Sequence, residues 1–180
     1  MSSQDPPDSR LLLLMRHGKA EGGGGQLDQE RRLADRGETQ ARLIGEYLES
    51  QGVHPTRVLV SESVRTRETW EALRSVMPGF DGKVTFHEDI YAGGPLEVLH
   101  RLQGVKDSHG VVMVIGHEPT MATLVSHLAD DDSDPPGAMA QARIGMPTGA
   151  LGVLSGALPH WGDLGRQPHA AHHRAPGDDR

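Results

Sequence analysis

The sequence predicts a single α/β domain whose central sheet is mostly parallel and carries helices on both faces. Short apolar runs alternate along the chain with amphipathic segments of helical length, which is the pattern of parallel strands joined by crossover helices. The first run, LLLLM at residues 11–15, is apolar at every position, as expected of a strand covered on both faces. A length of 180 residues, with 36% hydrophobic and 24% charged residues, fits one globular domain.

The predicted elements follow in order from these patterns. Buried strands are expected at residues 11–15, 58–60, 84–86, 111–115 and 150–154. A glycine-rich loop at 22–26 separates the first strand from a helix at 36–50, which Asp35 can cap and Gly52 closes. Pro78 ends a second helix at 64–77, and two further helices begin at Pro95 and Pro119.

The two ends of the chain differ in composition from the segment between them. Residues 1–10 are polar and proline-rich, and residues from 161 onward combine Gly, Pro, His, Arg and Asp with almost no apolar side chains. Such segments cannot bury enough apolar surface to offset the entropy cost of ordering. We therefore expect a disordered leader at 1–10, a folded domain at 11–160 and a disordered tail at 161–180.

Composition also argues against several classes of partner. The formal net charge is −7, so we expect no nucleic-acid partner, because nucleic-acid binding needs a basic surface. The longest apolar run, residues 11–15, is too short to span a bilayer, and no signal peptide precedes it. The sequence has no cysteine, which excludes disulfides and thiolate chemistry and is compatible with the cytoplasmic location that we expect.

Polar residues follow four of the predicted strands at the point where each strand ends. In an open α/β sheet, ligands bind beyond the carboxyl ends of the strands. These ends carry Arg16-His17-Gly18-Lys19, then Ser61-Glu62-Ser63-Val64-Arg65, then His87-Glu88-Asp89, and then Gly116-His117-Glu118. Two arginines and two histidines from different segments are therefore expected to converge at one edge of the sheet.

Such a set of side chains describes an anion site. Arginine binds phosphate through paired hydrogen bonds, and phosphoryl transfer depends mostly on positioning and on stabilising charge at the phosphoryl oxygens. A neutral histidine can attack phosphorus itself when one ring nitrogen is free and the other holds its proton on a fixed acceptor. The pattern therefore indicates phosphoryl chemistry.

Four ordered blocks also resemble a known family. The run L-x-x-x-M-R-H-G-x-A-E at 11–21 is similar to the signature of the histidine phosphatase superfamily, the phosphoglycerate mutase-like proteins. The blocks 33–37, 61–69 and 114–117 resemble the family's helix start, its S-x-x-x-R-x-x-x-T segment and its step to a second histidine. The R-H-G-K-A-E form is most similar to SixA-type phosphohistidine phosphatases. The resemblance covers about residues 11–155.

The resemblance implies a phosphatase that works through a phosphohistidine intermediate, with no metal and no organic cofactor. His17 would be the phosphorylated nucleophile, Arg16 and Arg65 would clamp the phosphoryl oxygens, and His117 would donate a further hydrogen bond to them. Gly18 is expected to let the backbone approach the phosphate closely.

Further substrate contacts and the general acid follow less directly from the pattern. Lys19 and Glu21 lie beside the nucleophile in sequence and are candidate substrate contacts. Ser61 is either a substrate contact or a cap of the next helix. For the acid that protonates the leaving group, Asp89 fits the acidic position of SixA-like chains best, and Glu88 is the alternative.

The substrate expected is a phosphohistidine on another protein. Only about 50 residues separate the second strand from the fourth, and a helix, a strand and another helix fill them, so no insertion is left to build a lid over a small metabolite. A phosphatase of small phosphorylated metabolites with the same fold remains an alternative. A non-catalytic phosphate-binding module is a further alternative, although the intact set of two arginines and two histidines argues against it.

Overall fold

The computed structural model describes residues 8–129 and 144–166, which fold around a five-stranded sheet. The strands have the spatial order β3-β2-β4-β1-β5. The first four strands pair in parallel, and β5 runs antiparallel to β1. Their bounds are β1 Ser9–Arg16, β2 Arg57–Ser61, β3 Lys83–His87, β4 Val111–Gly116 and β5 Leu151–Ala157. The predicted mostly parallel sheet is therefore confirmed.

Helices connect these strands. They are α1 Asp35–Ser50, α2 Val64–Arg74, α3 Glu88–Ala92, α4 Pro95–Gln103 and α5 Thr120–Leu128, with short 3-10 helices at Asp28–Glu30 and Trp161–Asp163. The sequence did not predict α3, which follows β3 without an intervening loop, nor the two 3-10 helices. The second predicted helix ends at Arg74 rather than residue 77.

The sheet has a hydrophobic core on each face. Helices α1 and α2 cover one face of β1 and β4. The residues in this core are Leu13, Met15, Met113 and Ile115 of the sheet, Ala41 and Leu48 of α1, and Trp70 and Leu73 of α2. Helices α4 and α5 cover the other face. The residues in this second core are Leu12, Leu14, Val112 and Val114 of the sheet, Val98 and Leu102 of α4, and Met121 and Leu124 of α5. Burial on both faces explains why β1 and β4 are apolar at consecutive positions.

The first strand begins earlier than predicted, so the expected leader boundary at residue 10 is wrong. Ser9 and Arg10 belong to β1, and the Arg10 side chain is buried. Its guanidinium donates to the carbonyls of Leu158 and Pro159, each at 2.8 Å. A charged residue can be buried at this end of the strand because backbone carbonyls just beyond β5 accept the hydrogen bonds of its guanidinium. Residues 1–7 of the predicted leader lie outside the described residues.

The expected tail boundary is also wrong, because Trp161 is fully buried. Its side chain belongs to the α4–α5 core, and its indole Nε1 donates to the carbonyl of His109 at 2.7 Å. Its backbone N–H donates to Asp107 Oδ1 at 2.8 Å. The folded unit therefore extends at least to the 3-10 helix Trp161–Asp163. Residues 167–180 of the predicted tail lie outside the described residues.

Within residues 8–129 and 144–166, no helix combines the length and the apolar composition needed to cross a lipid bilayer.

Replacing Trp161 by alanine should lower the free energy of unfolding by about 3–5 kcal/mol, because it removes a fully buried aromatic side chain and leaves a cavity. Urea unfolding followed by circular dichroism measures this loss. A chain truncated after Arg166 is the matched control and should keep the wild-type midpoint. A loss below about 1 kcal/mol for Trp161→Ala would mean that the core does not depend on this residue.

Candidate active site

The carboxyl ends of β1, β2 and β4 bring His17, Arg65 and His117 together. Arg65 lies at the start of α2, directly after β2, and its guanidinium lies between the two imidazoles. Arg65 Nε is 3.4 Å from His17 Nε2, and Arg65 Nη2 is 3.4 Å from His117 Nδ1. The two imidazole centroids are 5.3 Å apart. Three of the four side chains expected to converge therefore lie together in the fold.

His17 is held in one tautomer. Its Nδ1 lies 2.7 Å from the carbonyl oxygen of Gly18, which can only accept, so Nδ1 carries the proton and the unprotonated Nε2 accepts a hydrogen bond from Arg65 Nε at 3.4 Å. Burial lowers the pKa of His17 to about 4; the Gly18 carbonyl opposes this shift, whereas Arg65 and Arg16 reinforce it. At neutral pH, His17 is thus an uncharged imidazole whose Nε2 faces Arg65.

His117 is also neutral in the free protein. Its Nε2 lies 2.6 Å from the hydroxyl of Ser61, a fully buried residue at the end of β2. Its Nδ1 faces the donor-only guanidinium of Arg65, so we assign the ring proton to Nε2. Burial, reinforced by the nearby His17 and Arg65, lowers the pKa of His117 to about 3. Ser61 therefore contacts His117, whereas Ser63 caps α2.

Arg65 has a partner that the sequence analysis missed. Its Nη1 donates to the carbonyl of Asp28 at 2.8 Å, and its Nη2 forms an ion pair with Asp28 Oδ2 at 3.0 Å. The same carboxylate accepts from the hydroxyl of Tyr91 at 3.0 Å and from Arg31 at 3.1 Å. Burial alone would raise the pKa of Asp28, but hydrogen bonds from Arg65, Tyr91 and Arg31 lower it to about 2. Asp28 is therefore ionised at neutral pH.

Tyr91 is the second residue that the sequence analysis missed. Its ring meets the ring of His117 edge-on, with 5.5 Å between the centroids. The sequence contained a signal for Tyr91. It lies three residues after Glu88, so in a helix the two side chains lie on the same face and would point to the same neighbours. The prediction treated this segment as a strand end and did not use that spacing.

Arg16 reaches toward the segment that precedes β5. Its Nη1 donates to the carbonyl of Met146 at 2.8 Å. The backbone N–H of Met146 in turn donates to Glu118 Oε2 at 3.1 Å. Gly149 in the same segment donates its N–H to the carbonyl of His17 at 2.9 Å. The Nε of Arg16 is buried and has no hydrogen-bond partner among the described residues. Arg16 therefore keeps one buried donor that a ligand can use.

Gly18 packs against α1, and its expected role in letting the backbone approach a phosphate stays a prediction. Its N–H donates to Thr69 Oγ1 at 3.1 Å, and a Cβ at this position would lie 2.5 Å from the carbonyl oxygen of Gly37 in the first turn of α1. A Cβ on Gly37 would in turn collide with the Lys19 carbonyl and with Leu33. The two glycines thus allow α1 to pack directly on the turn after β1. The sequence motifs at 11–21 and 33–37 are therefore in direct contact in the fold.

Lys19 and Glu21 contribute their backbones to this packing. The N–H of Lys19 donates to Gln40 of α1 at 2.9 Å, and the N–H of Glu21 donates to the carbonyl of Arg32 at 2.8 Å. Both side chains are exposed, and neither bonds to His17, Arg65 or His117. Their expected role as substrate contacts stays a prediction.

The geometry does not support Asp89 as the general acid. Asp89 lies in the first turn of α3, and its Oδ2 forms an ion pair with Arg101 of α4 at 2.8 Å. Its Oδ1 is buried and has no partner among the described residues. The helical turn directs this carboxylate toward α4 instead of toward His17. Glu88, the alternative, accepts a hydrogen bond from Gln29 at 2.9 Å.

Among residues 8–129 and 144–166, no group of three or more His, Asp or Glu side chains is arranged to hold a metal ion.

Comparisons with known proteins identify relatives of this chain. A family model described as histidine phosphatase superfamily (branch 1) matches residues 12–89. An uncharacterized protein of Mycobacterium tuberculosis is 31% identical over 150 residues, which cover 83% of this chain and 91% of that protein.

Two solved structures share the fold. A structure assigned as the phosphohistidine phosphatase SixA from Nakamurella multipartitia is 30% identical, with a TM-score of 0.71 over 89% of this chain and 92% of that chain. The protein histidine phosphatase SixA complexed with tungstate is 28% identical, with a TM-score of 0.61 over 69% of this chain and 80% of that chain.

The buried His17 should titrate with a midpoint near pH 4, well below the usual value of 6.5. Proton–carbon NMR of the imidazole Cε1–H, recorded against pH, measures this midpoint. His160 provides the internal control, because its hydrogen bond to Asp107 raises its pKa above the usual value. Because the unfolded chain binds a proton near pH 6.5 and the folded chain near pH 4, His17 should also lower stability as pH falls through this interval. A His17 midpoint at or above pH 6 would contradict the buried, cationic environment.

Proposed function

The chain belongs to the histidine phosphatase superfamily, and from that membership we propose that it is a SixA-type phosphatase that removes the phosphoryl group from phosphohistidine on another protein. The observation that carries the proposal is the neutral His17, whose unprotonated Nε2 faces Arg65 beside a second neutral imidazole. We propose the cytoplasm as its location, which the absence of cysteine from the sequence supports.

In the first step, His17 Nε2 attacks phosphorus and the bond to the substrate's imidazole breaks; that ring, protonated at its other nitrogen by solvent, leaves as a neutral imidazole. The ring of His17 then carries positive charge, which the carbonyl of Gly18 stabilises through its hydrogen bond to Nδ1. Arg65 and the unpartnered Nε of Arg16 donate to the phosphoryl oxygens. The buried donor of Arg16 supports this role, because leaving it unpaired costs about 1–3 kcal/mol that an anion would recover.

In the second step, water attacks the phosphoryl group on His17 and releases phosphate, which restores the neutral imidazole. His117 is placed to hold or move a proton at Nδ1, the ring atom that faces Arg65. A phosphoryl dianion next to His117 favours its protonated form and opposes the burial that lowers its pKa in the free protein. Ser61 keeps the ring oriented by bonding to its Nε2.

Asp28 competes with the substrate in this scheme. Its carboxylate occupies the Nη2 donor of Arg65, and a phosphoryl oxygen that binds Arg65 there must displace it. The Asp28 side chain is 53% exposed and lies in a short 3-10 helix after the glycine-rich loop, so displacement disturbs little of the core.

The carboxylates near the site favour an imidazole leaving group. Asp28 has its pKa lowered to about 2, Asp89 is paired with Arg101, and Glu88 accepts from Gln29. With these partners, none of the three carboxyl groups is arranged as a protonated acid beside His17. An alkoxide is a strong base and needs such an acid, whereas imidazole leaves phosphorus with modest proton assistance. The site is therefore better suited to N–P bonds than to alkyl O–P bonds.

The segment between β2 and β4 supports a protein substrate. Residues 62–110 are all described and form α2, β3, α3, α4 and short connections. No insertion in this interval builds a cover over the carboxyl ends of the strands. A side chain presented by another protein can therefore reach the site from this side.

Turnover of three substrates tests the proposal. We expect kcat/KM to be highest on a phosphohistidine-bearing protein, intermediate on an aryl phosphate and lowest on an alkyl phosphate, because the need for a proton donor rises in that order. His17→Ala should abolish all three activities while keeping the wild-type unfolding midpoint. A clear preference for an alkyl phosphate would refute the phosphohistidine substrate and favour a small metabolite. No turnover of any substrate would favour a phosphate-binding module.

Asp28→Asn should lower KM for the preferred substrate by about threefold to fivefold, because it removes a negative charge that competes for Arg65. The value of kcat should change less than KM. Glu30→Gln is the matched control, since Glu30 lies exposed in the same 3-10 helix and should leave both constants unchanged. A raised KM for Asp28→Asn would show that this carboxylate orients Arg65 for the substrate and does not compete with it.

A further inference from the structure

A second cavity lies on the α4 side of the sheet, between α4 and the β2–β3 edge, and it is distinct from the site around His17. Its volume is about 270 Å³, and Leu59 and Val105 form part of its wall. Six basic residues line the rest: Arg57, Lys83, His87, Arg101, Lys106 and His109. No acidic residue lines it in the described part of the chain.

This cavity runs along the edge of the sheet. Arg57 and Lys83 lie at the amino ends of β2 and β3 and pair in register. Arg57 is four residues from Ser61, the end of β2 that contacts His117, so it lies about 13 Å from the catalytic edge at the usual rise per strand residue. The cavity extends from this amino end to His87 at the carboxyl end of β3, which pairs in register with Ser61, but His17, Arg65 and His117 do not line it.

The concentration of positive charge here is unusual for this chain. The whole sequence carries a net charge of −7 and has only three lysines, two of which, Lys83 and Lys106, line the cavity. Arg101 is paired with Asp89 through its Nε, and Arg57 donates to the backbone carbonyls of Val58 and Lys83. Neither lysine forms an ion pair with a described residue. Two exposed cationic groups are thus left available to a ligand.

The basic side chains are close enough to repel one another. Burial lowers the pKa of His109, and Arg57, Lys106 and Lys83 lower it further. Burial also lowers the pKa of His87, and Arg101 adds to that shift. Such repulsion costs folding free energy that a bound anion would recover.

We propose that this cavity binds a small polyanion that carries two or more linked phosphate groups. Two guanidiniums and two ammonium groups surround about 270 Å³, and three of these charges, on Arg57, Lys83 and Lys106, have no carboxylate partner among the described residues. Linked phosphates concentrate a comparable negative charge in so small a space, and their oxygens suit the paired donors of arginine. The two imidazoles, neutral at pH 7, add hydrogen bonds without adding charge.

Isothermal titration calorimetry with inorganic diphosphate tests the proposal, with four proteins compared at low salt. They are the wild type, Arg65→Ala, Lys83→Gln/Lys106→Gln and a control, Arg42→Gln/Arg74→Gln. The control removes the same charge from exposed positions on α1 and α2, which cover the opposite face of the sheet. Both lysines are exposed, so their replacement should leave the fold intact.

Binding at the cavity should survive in Arg65→Ala and in the control, and it should weaken by on the order of tenfold in the double lysine variant. Phosphatase activity of the double lysine variant should equal that of the wild type, so failure of this proposal is distinguishable from failure of the proposed reaction. Equal diphosphate affinity in the wild type and the double lysine variant would overturn the proposal. Complete loss of binding in Arg65→Ala would also overturn it, because the catalytic site would then be the only phosphate site.

Discussion

The proposed reaction depends on keeping one imidazole neutral beside arginine side chains. In that reaction His17 attacks phosphorus only while its Nε2 is unprotonated, and burial together with the nearby Arg65 and Arg16 makes protonation unfavourable. The Gly18 carbonyl fixes the other ring nitrogen, and the turn that presents this carbonyl is in turn fixed by the contact between Gly18 and Gly37. The conformation of the nucleophile is therefore set by the packing of α1 on β1.

The same constraint accounts for the second histidine and for the acidic residues. His117 also stays neutral, because burial and Arg65 disfavour its charged form, and Ser61 holds its outer nitrogen. A carboxylate bonded to His17 would raise its pKa, and the nearby carboxylates bond instead to Arg65, Arg101 or Gln29. Under the proposed reaction, such a site lacks an efficient proton donor and suits leaving groups that need little protonation.

Sequence reasoning found the strands and the contact among His17, Arg65 and His117 because both depend on local patterns. Continuous apolar runs identify β1 and β4, and a rule about strand ends locates His17 and His117. It failed where the outcome depends on packing between distant segments. Trp161 follows a polar stretch, and only its fit into the α4–α5 core reveals it as structural. Asp28 lies in a short 3-10 helix that no hydrophobic pattern predicts. Asp89 was assigned as the general acid from the family resemblance, but α3 turns its carboxylate toward Arg101.

The most direct test of this account is the position of the phosphoryl group during turnover. Rapid alkaline quenching of the enzyme with phosphohistidine protein, followed by phosphorus–proton correlated NMR of the trapped chain, identifies the phosphorylated atom. Since Nδ1 of His17 is bonded to Gly18 and Nε2 faces Arg65, the phosphoryl group should lie on Nε2 of His17. Phosphate on Nδ1 of His17, phosphate on His117, or turnover with no phosphorylated chain would contradict the account.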